Sequence, residues 1–107
     1  MTIQILHYEF LGPIKLSEWG PPMDKVIYII FNQNKSGFIP LYVGQSDNTD
    51  QNDFFTQNDN FKCWIQHAGS EDNLYLSILP LWESEEPERK RIVEKIISKY
   101  RPLCQIE

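Results

Sequence analysis

Val26-Ile27-Tyr28-Ile29-Ile30-Phe31, then Asn32-Gln33-Asn34-Lys35-Ser36-Gly37, then Ile39-Pro40-Leu41-Tyr42-Val43-Gly44 is the stretch whose reading decides the fold. The first run is β-branched and aromatic throughout, the composition of a strand buried on both faces. The polar hexapeptide is turn chemistry, and Gly37 is able to take positive φ. Apolar character then resumes up to Gly44, so the stretch predicts an antiparallel hairpin. Upstream, Ile3, Ile5, Leu6, Tyr8 and Phe10 alternate roughly, which predicts a strand over 3–10. Gly12-Pro13 and Trp19-Gly20-Pro21-Pro22 break the chain, so 11–24 reads as an irregular arm anchored to the body by Trp19.

Downstream of Gly44 the chain turns polar, and Gln45 to Asp53 holds no apolar residue. Ser46, Asp47 or Asn48 is placed to cap a short helix carrying Phe54, Phe55 and Phe61 inward, although the asparagine and aspartate content makes it a poor one. Cys63-Trp64-Ile65 opens another short apolar element, closed by Gly69-Ser70. Leu74-Tyr75-Leu76-Ser77-Ile78-Leu79 predicts a third central strand ending at Pro80. Ile92, Val93, Ile96, Ile97 and Tyr100 recur at helical spacing, with Ser84 as the expected N-cap, Pro87 in the first turn and Pro102 as the stop. The expected architecture is α+β: a three-stranded antiparallel sheet flanked by helices, covered mainly on one side, with an extra N-terminal strand and arm.

A chain of 107 residues closes one core. An N-terminal strand and arm over 1–25 would precede a single domain over 26–107. No apolar run approaches the roughly 18 residues of a membrane span, and Met1-Thr2-Ile3-Gln4-Ile5 lacks signal-peptide character, so a cytoplasmic monomer without membrane contact is the default expectation. Cys63 and Cys104 are too few and too far apart for a zinc knuckle; in a reducing compartment they are expected to be packed thiols. The net charge of −5 opposes polyanion binding, yet six of the ten basic residues fall within Arg89 to Arg101. A nucleic-acid contact, DNA or RNA, would therefore use this last helix. The competing reading is a solvated basic face balanced by Glu83, Glu85, Glu86 and Glu88 at the helix start.

Five segments in order carry a resemblance: Val26-Ile27-Tyr28; Leu41-Tyr42-Val43-Gly44-Gln45-Ser46; Cys63-Trp64; Arg91-Ile92-Val93-Glu94-Lys95-Ile96-Ile97; and Tyr100-Arg101-Pro102-Leu103-Cys104. Together they resemble the active-site skeleton of the GIY-YIG endonuclease superfamily across about Val26 to Gln105. The resemblance implies a metal-dependent nucleic-acid phosphodiesterase. Such chemistry needs an activated water, a divalent cation and a positive group near the phosphate. It makes Tyr28 the base or water-orienting hydroxyl, Tyr42 its partner and Glu94 the ligand of Mg2+ or Mn2+. Gly44, Gln45, Ser46, Arg89 and Arg91 would meet substrate, with Gly44 allowing close backbone approach, and His67 would be a substitute proton carrier or phosphate contact.

The same residues have ordinary readings. Tyrosine packs well in strands, Glu94 can face solvent beside Lys90 or Ser98, and a lone loop histidine usually has no special task. The sequence also departs from the family: the leading glycine of the first triplet is Val26, Gln105 stands where an asparagine is usual, and no arginine follows the second triplet before Arg89. Without that guanidinium, Lys62 or Arg89 would have to stabilise the phosphorane. Two further readings follow, a domain that keeps the scaffold and binds nucleic acid or protein without cutting, and a plain interaction domain.

Overall fold

The computed structural model describes residues 2–18, 24–34, 37–48 and 61–104. Five strands form one antiparallel sheet: β1 (Thr2–Ile5), β2 (Tyr8–Lys15), β3 (Asp24–Asn34), β4 (Gly37–Asn48) and β5 (Leu74–Pro80). Their spatial order is β1-β2-β5-β3-β4. Two helices complete the described fold, α1 (Phe61–Ala68) and α2 (Glu86–Tyr100). The class is α+β, as the sequence implies.

The hairpin forms with longer strands than expected. Asn34 pairs with Gly37, whose φ of 118° is the region where only glycine is unstrained. Tyr28 pairs with Gly44 and Ile30 with Tyr42, and a register shift follows between Ile30 and Phe31. β3 is central because β5 pairs along its other edge, from Val26↔Pro80 to Asn32↔Leu74. Pro80 sits at the strand terminus, where its missing N–H costs least.

The N-terminal part differs from the sequence reading. The expected strand over 3–10 is two strands, folded back on themselves at Leu6-His7 with Leu6 at φ 57°. The first part of the expected arm, 11–15, belongs to β2, which pairs with β5 and so joins the main sheet. Gly12 and Pro13 break its ladder without ending it: the register shifts between Leu11 and Ile14, and Gly12 takes φ 95°. A bulge absorbs both residues. A Cβ at Gly12 would meet the Leu76 carbonyl oxygen at 2.7 Å, which explains glycine there. Trp19, and the expected helix over Phe54 and Phe55, lie outside the described residues; Ser46, Asp47 and Asn48 belong to β4.

The helices cover opposite faces rather than mainly one. Val26, Tyr28, Ile30, Leu76 and Ile78 pack with Trp64 of α1. Ile27, Ile29, Phe31, Val43 and Leu79 pack with Val93 and Ile96 of α2. Period-2 alternation along β3 deals its side chains to two cores, which is why its whole run is apolar. α2 begins at Glu86 after Glu85 and ends where Arg101 turns to φ 48° ahead of Pro102. Ser84 does not cap it; that hydroxyl donates to the Leu81 carbonyl instead. Among the described residues no helix is long and apolar enough to cross a membrane.

Candidate functional site

Antiparallel pairing brings the two tyrosines together. Tyr28 opposite Gly44 and Tyr42 opposite Ile30 are diagonal neighbours on the α1 face, with ring centroids 6.0 Å apart. Tyr42 continues the stack to Trp64 at 5.5 Å, and Trp64 to Phe61 at 5.9 Å. Tyr28 is only 3% exposed, so a phosphate or attacking water does not reach its ring without movement of the surrounding core. Its hydroxyl lies over Gly44. A Cβ there would stand 2.6 Å from Tyr28 Oη, 2.7 Å from Cζ and 2.9 Å from Tyr42 Cε2. The glycine makes room for a tyrosine, a close approach within the fold rather than toward a substrate. Ser46, two residues on, shares this face and is half-buried.

Arg89 and Glu94 belong to the other face. Arg89 lies one turn before Val93 on the inner stripe of α2 and is 1% exposed. Its Nε donates to Gln45 Oε1 at 3.0 Å, and its Nη1 donates to the Ser84 carbonyl at 3.1 Å and to Ser84 Oγ at 3.0 Å. Gln45 is the residue after Gly44, so alternation turns it away from the tyrosines and toward α2. Arg89 thus reaches the second motif from behind. It serves as a buried brace between β4 and the start of α2, and its guanidinium is committed to internal acceptors.

Glu94 is exposed on the outer part of α2, in an open groove with Leu6, His7, Arg91, Lys95 and Lys99. Arg91 comes to this groove, apart from Arg89. Tyr28, Tyr42 and Glu94 are therefore not brought around one point: the tyrosines pack against α1 and the carboxylate rides on the helix covering the opposite face. The donors around Glu94 also do not suit a hard divalent cation. Such an ion takes oxygen ligands and favours carboxylates, whereas this single carboxylate is lined by arginine and two lysines that would repel it.

The groove makes a better anion surface. Arg91, Lys95 and Lys99 recur every fourth residue, so they form a cationic ladder with steps of about 6 Å along the axis. Lys90, by contrast, pairs with Glu86 at 3.1 Å. The basic cluster was visible in the sequence, but the contribution of the β1–β2 turn at His7 was not, because it depends on where that hairpin docks.

His67 is exposed on α1, one turn from Cys63, and stands beside a disulfide. The expectation of two free thiols is corrected: Cys63 and Cys104 are bonded across 41 residues of chain. Sequence distance concealed their meeting. The segment after α2 returns to the edge strand, with Cys104 N–H donating to the Leu41 carbonyl at 2.7 Å, and this delivers Cys104 to α1.

Comparison with known proteins finds no matching family model, and no significant match among curated proteins or solved structures.

Proposed function

We propose that the chain is a GIY-YIG-like domain that binds nucleic-acid phosphates along the outer face of α2 without cleaving them. The observation that carries this reading is the exposed ladder of Arg91, Lys95 and Lys99, joined by His7 from the β1–β2 turn. The strand trio β5-β3-β4 with a late basic helix supports the scaffold half of the proposal. Separation of the tyrosine pair from Glu94, and burial of Arg89, support binding over cleavage. The nuclease reading rests on the neighbouring Tyr28 and Tyr42 rings, and it would need Glu94 or another carboxylate to be carried to their face.

Fluorescence anisotropy with labelled single- and double-stranded DNA and RNA at several salt concentrations tests the proposal. Three phosphate-neutralising cations set a log–log salt slope of about −2.7 on duplex DNA, so affinity should fall about 40-fold between about 50 and 200 mM salt. Lys95→Ala should flatten that slope by about 1, and Glu94→Ala should tighten binding by removing the one negative charge on the ladder. Folded protein that shows no binding at low salt would overturn the reading. Magnesium- or manganese-dependent cutting lost in Glu94→Ala would replace it with the nuclease.

A further inference from the structure

We propose that, once the Cys63–Cys104 disulfide is reduced, Cys63, His67 and Cys104 form a three-ligand site for a zinc ion, with the fourth position open to solvent. The candidate donor atoms already lie within 4.8 Å of one another. A tetrahedral set of two thiolates and an imidazole has ligand–ligand edges of about 3.5–3.8 Å, so side-chain rotation closes the remaining gap. Cys63 and His67 are four residues apart on α1 and therefore share one helix face. Cys104 approaches that face from the chain end.

Two features keep the donors together without the S–S bond. Backbone N–H groups of Leu103 and Cys104 donate to the carbonyls of Pro40 and Leu41 at 3.3 and 2.7 Å, fixing the returning segment to β4. Trp64, fully buried next to Cys63, fixes α1 to the sheet. The graded exposure suits an open site: Cys104 is buried, Cys63 half-buried and His67 exposed. Soft thiolates with imidazole select zinc over magnesium, so this site is chemically separate from any carboxylate centre.

The redox step balances with a named reductant. A phosphine takes the oxygen of water, becoming phosphine oxide, while the S–S bond breaks and each sulfur leaves as a thiol. Zinc then displaces the two thiol protons, and the neutral imidazole enters with its lone pair. Re-oxidation, by a disulfide of higher potential through thiol–disulfide exchange, removes both thiolates and releases the ion. The metal site and the disulfide are thus mutually exclusive states of the same sulfurs. This holds whether or not α2 binds nucleic acid.

The test uses the full chain, oxidised and phosphine-reduced, desalted without oxygen and titrated with Co2+ as the spectroscopic probe. The reduced chain should bind one cobalt per molecule with thiolate-to-metal charge-transfer absorption, bleached by added Zn2+; the oxidised chain should show none. His67→Ala, a change at an exposed position, should weaken binding by at least the roughly 10- to 100-fold that loss of an outer-shell partner costs. His67→Cys should restore binding and add charge-transfer intensity. Reduced, folded protein without the absorption would overturn the proposal, as would unchanged affinity in His67→Ala.

Discussion

Replacing Arg89 with methionine isolates what the buried guanidinium does, because the volume is roughly kept and the donors are removed. The hydrogen bonds to Gln45 and to the Ser84 carbonyl and hydroxyl are among those that disappear. Gln45 is half-buried and can turn its amide toward water, so its loss costs little. Ser84 is buried, and its carbonyl and hydroxyl oxygens each lose a charged donor at about 1–3 kcal/mol. Relief from burying a cation offsets part of this, leaving a net destabilisation of about 2–3 kcal/mol. For a domain of this size that is a fall in Tm of about 10–20 °C. Thermal unfolding followed by circular dichroism measures it, and Arg89→Met with Ser84→Ala in a double-mutant cycle should show a coupling of about 1 kcal/mol or more. Equal or greater stability of Arg89→Met would refute the reasoning: the brace would then be dispensable, and Arg89 would be free to be recruited to a ligand.

Gly44→Ala should destabilise by about 1–3 kcal/mol, because the new methyl must displace the buried Tyr28 ring. Chemical denaturation reads the loss, and a neutral result would mean that Tyr28 can move easily. Ile96→Ala should cost about 2–5 kcal/mol by leaving a cavity under α2. Unchanged stability in that variant would contradict the register of the helix on the sheet.

Local signals carried most elements, and their failures have physical causes. The β3 and β5 runs and the stripe of α2 were legible because each buries a continuous apolar surface whose period is its own signature. Gly12-Pro13 misled because those residues end a strand or bulge one, and only the partner strand decides. β5 decided for the bulge. Ser84 has the chemistry of an N-cap, yet its position beside Arg89 gave its oxygen a stronger partner. At the candidate site, Tyr28 and Tyr42 share a face only because the register shifts between Ile30 and Phe31. The turn register alone would set Tyr28 opposite Val43 and leave the two rings on opposite faces, so their meeting was not legible in the hairpin. Nor was the face that α2 covers legible, because an apolar stripe says that a helix packs and leaves open which side of a two-sided sheet receives it.

That ambiguity matters for any inference from ordered motifs to a site. Along β4, Tyr42, Gly44 and Ser46 face α1, whereas Val43 and Gln45 face α2, so one short segment is divided between two cores. Gly44 accommodates the tyrosine on one side while Gln45 receives Arg89 on the other. A strand committed on both faces has little freedom to present side chains to a ligand. Both proposed sites accordingly lie on surfaces that the sheet does not consume: the cationic ladder of α2, and the sulfur–imidazole cluster where the chain end meets α1.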